Sequence, residues 1–230
     1  CQGREMDDLL AREWLVANRI GAYASSTVVG CNTRRYHGLL VAATRPPMGR
    51  LVALSQVAEQ LIAAPTTYDL ATIEFPDTFS PRGLVHLHEF RNDAAPTFIF
   101  RAGGLELVKE ILLAETTNTV ALRYTLRGGA AALRIMPFVA LRDFHHLRSA
   151  GSPHQMTFEA VGSDLAVQDR MLSAPALYLS AAGAQFMPRP QWWYRFHYRE
   201  DLARGQDAHE DLYVPGAFVV PLADGQSWQL

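Results

Sequence analysis

The sequence predicts an all-β fold: a large antiparallel β-sandwich with one or two short helices. Short runs rich in Val, Ile, Thr, Phe and Tyr recur along the chain. Clusters of Gly, Pro, Asn and Asp break them at close spacing, and these residues turn a chain rather than extend it. At 230 residues, with 49% hydrophobic side chains, the chain can bury a substantial core.

Taken in order, residues 4–14 read as a helix, with Asp7 and Asp8 near a start where the helix dipole favours anions. Residues 27–31 and 36–43 flank the polar turn Asn32-Thr33-Arg34 and read as a hairpin. Further strands are predicted at 51–59, 84–90, 97–101, 105–114, 119–126, 132–140, 156–160, 165–168, 176–180, 193–198 and 217–221. Residues 198–204 are a second short helical candidate. The segment 148–154, Arg-Ser-Ala-Gly-Ser-Pro-His, reads as an exposed connection. Strands continue on both sides of it, so residues 1–230 are read as one domain. Ser227-Trp228-Gln229-Leu230, after the turn Ala223-Asp224-Gly225, looks like the opening of another strand. With a chain that starts at Cys1, this reads as a piece of a longer protein.

Bulk properties exclude several function classes. Lys and Arg are scattered and offset by Asp and Glu, with a formal net charge of -2, which argues against nucleic acid as a partner. No apolar run reaches the roughly 20 residues that cross a bilayer, and the first residues, Cys1 to Asp8, lack the charged-then-apolar layout of a signal peptide. A cytoplasmic protein without a membrane partner is expected. The two cysteines, Cys1 and Cys31, are too few for a disulfide framework and read as a free terminal thiol and a small buried one.

Three motifs carry polar chemistry. The first runs from Glu13-Trp14-Leu15 through the small-residue stretch 21–27 to Asn32-Thr33-Arg34-Arg35-Tyr36-His37-Gly38-Leu39-Leu40. On an extended strand Arg35 and His37 share one face, and Arg34 and Tyr36 the other. A buried arginine needs a carboxylate, so at least one of the two is expected to have an acidic partner. That partner either holds the fold or orients a sugar hydroxyl.

The second motif, Arg142-Asp143-Phe144-His145-His146, sets Asp143 and His145 two apart, as an extended Asp–His pair would require. Metal binding needs three or four convergent ligands and no third is in reach, so neither metal nor cofactor is expected. The third spans residues 192–201, then Arg204-Gly205 and Glu210-Asp211. Flat rings beside carboxylates suit a pyranose, which stacks its apolar face and donates its hydroxyls. Trp192 and Trp193 serve such a site or fill a core. Glu200, Asp201, Glu210 and Asp211 are the residue type that glycoside chemistry uses. Neighbours on a strand point to opposite faces, however, so neither adjacent pair forms a dyad. Pairing with Arg34, Arg35, Arg142 or Arg204 is the alternative.

These motifs, together with Pro46-Pro47, Leu212-Tyr213 and Pro215-Gly216, resemble in order the N-terminal domain of bacterial and archaeal glycogen debranching enzymes. The resemblance spans nearly the whole chain, and Asn-Thr-Arg-Arg-Tyr-His-Gly-Leu-Leu is its most specific part. It implies a β-domain followed by an all-helical toroidal domain that holds the catalytic carboxylates, and a parent amylo-α-1,6-glucosidase. The implied partners are glycogen or α-glucan oligosaccharides and that helical domain. No catalytic residue is expected in this chain. The candidate substrate or interface residues are Arg34, Arg35, Tyr36, His37, Arg142, Asp143, His145, Trp192, Trp193, Arg204, Glu210 and Asp211. Two other functions stay open: a stand-alone carbohydrate-binding module that stacks glucan on Trp192 and Trp193, and a glucan-transfer domain. Asn18-Arg19-Ile20-Gly21-Ala22-Tyr23 departs from the family's glycine-richer run by placing side chains at 19 and 22 in a tight loop.

Overall fold

The computed structural model describes residues 2–45, 48–172 and 174–230. Cys1 and Pro46-Pro47 lie outside the described residues. In chain order the elements are helix α1 (Gln2–Leu10), then β1 (Glu13–Ala17), β2 (Tyr23–Thr27), β3 (Gly38–Arg45), β4 (Met48–Ala63), β5 (Thr66–Asp69), β6 (Thr72–Phe75) and β7 (Thr78–Arg82). A 3-10 turn, Gly83–His86, leads into β8 (Leu87–Asn92), β9 (Pro96–Ala102), β10 (Leu105–Leu113), β11 (Val120–Arg127) and β12 (Ala131–Asp143). There follow β13 (Met156–Val161), β14 (Asp164–Asp169), β15 (Leu177–Ser180), β16 (Gln185–His197), helix α2 (Arg199–Leu202), β17 (His209–Leu222) and β18 (Ser227–Gln229). The all-β expectation holds, and among the described residues no helix is long and apolar enough to cross a membrane.

The main sheet runs β1-β2-β3-β4-β12-β17-β16, with β5 added on β4. A second sheet, β18-β11-β10-β9-β8, packs on its inner face. Trp14 of β1 meets Phe98 of β9 edge to face at 6.3 Å there. The central strands β4, β12 and β17 carry long unbroken buried runs, because their outer face is covered too. Val41, Val52, Phe138, Ala140, Phe196, Leu212 and Val214 form that outer core, and Ala71 and Ile73 pack on it.

Strand alternation accounts for one costly feature. In β10 the inward positions are Leu105, Leu107, Lys109 and Ile111, so period two drives an ammonium into the sandwich. Lys109 meets Glu59 of β4 at 2.5 Å, and the Tyr124 hydroxyl of β11 donates to the same carboxylate at 3.0 Å. Burial first, and then the Glu59 charge, push the Tyr124 phenol well above its ordinary value.

Several expectations need correction. The first helix ends at Leu10 rather than reaching Trp14, whose ring is needed in β1 for the inner core. The predicted hairpin pairs the right strand, β3, with the wrong partner. Its mate is the small-residue run β2, in the register Tyr23↔Val41 and Ser25↔Gly38, and residues 28–37 form the connection. Strands β5, β6 and β7 went unforeseen because each is short and Pro65, Pro76 and Pro81 read as breakers. Strand β16 begins at Gln185, well before the expected start, since an edge strand tolerates Pro188 and Pro190. Strand β17 begins at His209, well before the expected start at residue 217. The helical segment near 198–204 and the strand after Gly225 are both present.

Glu59→Leu leaves the Lys109 ammonium unpaired in the core and should lower the unfolding free energy by about 3–5 kcal/mol. Adding Lys109→Met should recover most of that loss. Urea denaturation of the wild type, single and double variants measures both, and an unrecovered double variant would show that the pair is not what Glu59 serves.

Candidate functional site

The small hydroxyl residues of β2 are there to receive the loop that follows. The Ser25 hydroxyl donates to the Trp14 carbonyl at 2.9 Å, and Ser26 to the Asn32 side-chain oxygen at 2.8 Å. Thr27 donates to the Cys31 carbonyl at 2.8 Å and accepts from the Cys31 amide at 3.1 Å. The Asn32 amide then reaches across to the Ser55 carbonyl at 3.1 Å. Residues this small let the loop lie close to the strand while satisfying its backbone. Burial pushes the Cys31 thiol between them up to about 12.

Arg34, Arg35, Tyr36 and His37 therefore sit in a turn, not at the mouth of an extended strand, and the alternation of faces is overturned. The His37 amide donates to the Arg34 carbonyl at 3.1 Å, which closes the turn. Residues three apart now share a partner: Arg34 donates to Glu13 at 2.6 Å, and the buried His37 ring lies 3.7 Å from the same carboxylate. The close His37 ring, helped by Arg34, outweighs burial and holds Glu13 down at about 2. Arg34 also faces Glu200 at 3.6 Å. Arg35 turns the other way. Its amide donates to Asp201 at 2.7 Å, and its guanidinium donates to the carbonyls of His145 and Asp207 at 2.9 and 2.7 Å.

Beneath this loop lies a buried hub. Arg142 of β12 binds Glu210 of β17 through two hydrogen bonds, from Nε to Oε1 and from Nη2 to Oε2. Glu210 is fully buried and also accepts from the Tyr198 hydroxyl at 2.6 Å and the Arg148 amide at 3.0 Å, so both its oxygens are filled. Arg142 spends its remaining donors on the Arg35 carbonyl at 2.8 Å and on Asp143 and Phe144 at 3.3 and 3.4 Å. Burial pulls the guanidinium toward neutrality, but the Glu210 charge and hydrogen bonds overcome that and raise it.

A bulge makes the hub possible. Register shifts between Val139 and Arg142, and Leu141 takes a φ of 44°, the left-handed region that side chains seldom enter. The Arg148 guanidinium donates to the carbonyls of Ala140 and Leu141 and reaches Asp169 at 2.9 Å. Arg148 is thus buried at the head of a segment expected to be exposed. Residues 149–153 remain exposed or half-buried. Arg148, Asp169, Tyr198 and Phe144 belong to the site and were missed. A bulge that frees two carbonyls leaves no trace in a run of Ser, Gly and Pro.

Other candidates are placed differently. Asp143 accepts from the His145 amide at 2.9 Å and faces the His146 ring at 3.5 Å, while the His145 ring meets Tyr36, so no Asp143–His145 ring pair forms. Trp192 and Trp193 are half-buried on opposite faces of β16. Trp192 packs on Tyr213 and His154, and Trp193 on Phe138. They cannot act as one platform. Asp211 accepts from the amides of Ala150 and Arg195, each at 2.9 Å, and so caps a second bulge where Arg195 has a φ of 62°. Arg204 is exposed just beyond α2. In the tight loop of residues 18–22, Arg19 lies in solvent beside Glu115, Ala22 is buried, and Gly21 supplies the φ of 85° the turn requires.

The arrangement is an anchored loop on the outer face of the main sheet, with Arg34, Tyr36 and His145 at the surface and charge balanced below. Four buried side-chain atoms of this region, Thr33 Oγ1, Arg35 Nε, His37 Nε2 and Asp201 Oδ1, lack a hydrogen-bond partner. A family model described as glycogen debranching enzyme N terminal matches residues 12–229 of the chain. No curated protein matches it.

Arg142→Met strands a buried carboxylate and should cost about 3–5 kcal/mol of stability in urea denaturation. Arg34→Met, at a partly exposed pair, should cost no more than about 1 kcal/mol. Because the Glu13 carboxyl is depressed from 4.5, its contribution is present above 4.5 and is lost as pH falls through about 2. Carboxyl NMR should give that low midpoint, and His37→Ala should move it back up.

Proposed function

Because the chain belongs to the family of glycogen debranching enzyme N-terminal domains, we propose that it is the non-catalytic β-domain of such an enzyme. It forms one wall of the glucan cleft and packs on a helical domain that carries the catalytic carboxylates. The parent protein hydrolyses α-1,6 branch points of glycogen in the cytoplasm.

One observation carries this reading. Four carboxylates around the anchored loop are each committed to a cation: Glu13 to Arg34, Glu200 to Arg34, Asp201 to Arg35 and Glu210 to Arg142. Glycosidic hydrolysis needs two free carboxyl groups flanking the bond, one of them protonated. Asp201 and Glu210 are fully buried, and both oxygens of Glu210 are occupied. Such groups cannot reach a substrate, but they can hold a loop rigid against a partner surface. Rigid backing is what a binding wall requires. The same commitment argues against glucan transfer by these residues, and the separation of Trp192 from Trp193 argues against a stacking module built on them.

The isolated chain should release no glucose from a limit dextrin, whereas the polypeptide that includes the helical domain should. Robust release by the isolated chain would overturn the assignment. In the two-domain protein, Arg35→Ala should reduce activity by loosening the loop, while Glu13→Gln, near the rim, should have the smaller effect.

A further inference from the structure

The aromatic surface beside the anchored loop is not the tryptophan pair. Tyr36, Phe144 and His145 come from two loops far apart in sequence and meet over the outer face. Tyr36 lies edge to face with Phe144 at 5.4 Å and with His145 at 5.8 Å, and Phe144 and His145 are 4.1 Å apart. His145 is exposed, and Tyr36 and Phe144 are half-buried.

His145 is held far more tightly than an exposed loop residue needs to be. Its amide donates to Asp143 at 2.9 Å, its carbonyl accepts from Arg35 at 2.9 Å, and its Nδ1 is 3.1 Å from the Tyr36 hydroxyl. Phe144 is fixed as well: its amide donates to the Arg50 carbonyl at 3.1 Å, and its ring rests on the outer core. Tyr36 is held through its carbonyl, which accepts from the Tyr23 hydroxyl at 2.8 Å. Ordering side chains at a surface costs conformational entropy, and that ordering lowers the entropic cost of binding a ligand there.

We propose that Tyr36, Phe144 and His145 form a glucan-contact subsite. The inference rests on the reading of this chain as a debranching-enzyme domain. The apolar face of a glucose unit packs on the exposed parts of the phenyl and phenol rings, and Nε2 of His145 bonds a sugar hydroxyl. With Nδ1 engaged by Tyr36, Nε2 is the imidazole's remaining hydrogen-bonding atom. It donates or accepts according to the direction of the Tyr36 bond, and a hydroxyl matches either case. Rings with adjacent polar handles on a rigid base are the chemistry of pyranose recognition.

Maltoheptaose titrated into the ¹⁵N-labelled chain, followed by NMR, tests this. Shifts should concentrate on residues 34–37 and 143–146, and Phe144→Ala or His145→Ala should weaken binding roughly tenfold. Tyr36→Phe, which removes only the hydroxyl, should weaken it less, and Tyr36→Phe and the exposed His145→Ala should keep the wild-type unfolding midpoint. Binding that maps elsewhere and ignores these variants would overturn the subsite and leave the domain assignment standing. No binding at millimolar ligand would also overturn it, while the dextrin assay of the two-domain protein tests the assignment separately.

Discussion

The outer face of this domain depends on one buried ion pair, Arg142 with Glu210. The guanidinium lies 4% exposed and the carboxylate 0% exposed, so each would be untenable alone. Together they join β12 to β17 and leave Arg142 donors for the Arg35 carbonyl and for the turn at Asp143 and Phe144. Three segments distant in sequence are tied to one charge pair. Removing it would free the loop that carries Arg34–His37 and the loop that carries His145 at once.

A second arginine shows how the pair is accommodated. A bulge in β12 re-aims the strand at Arg142 but releases the carbonyls of Ala140 and Leu141, and Arg148 satisfies both. The Arg148 amide meanwhile bonds Glu210, so the repair and the hub are one network. Lys109 and Glu59 in the inner core follow the same rule on a smaller scale. Such pairs add little net stability over apolar replacements, but their geometry penalises any register that separates them.

Charge commitment also organises the functional reading. A catalytic carboxylate has to be reachable and able to change its protonation state. Glu13, Glu200, Asp201 and Glu210 on this face are fastened to arginines, and Arg199 is likewise tied to Glu74 and Asp7, bracing α2 against β6 and α1. What the face offers outward is a set of fixed rings and hydrogen-bonding groups. That division of labour suits a domain that shapes a cleft.

The sequence by itself determined the class, since alternating apolar runs between turn residues admit little else at this length, and it determined the family through the ordered motif around residues 32–40. It also foresaw that buried arginines here would need acidic partners, because that cost is a property of the guanidinium and not of the fold. Tertiary structure decided which partners. Whether Arg34 shares a face with Tyr36 or with His37 depends on whether the backbone is extended or turned, and the turn is set by contacts to Ser26, Ser55 and Asp201 on other elements. Phe144 and Arg148 could not be found from local pattern for the same reason. Their roles arise from a bulge and from a loop that lies far away in sequence, and period-two reasoning is blind to both.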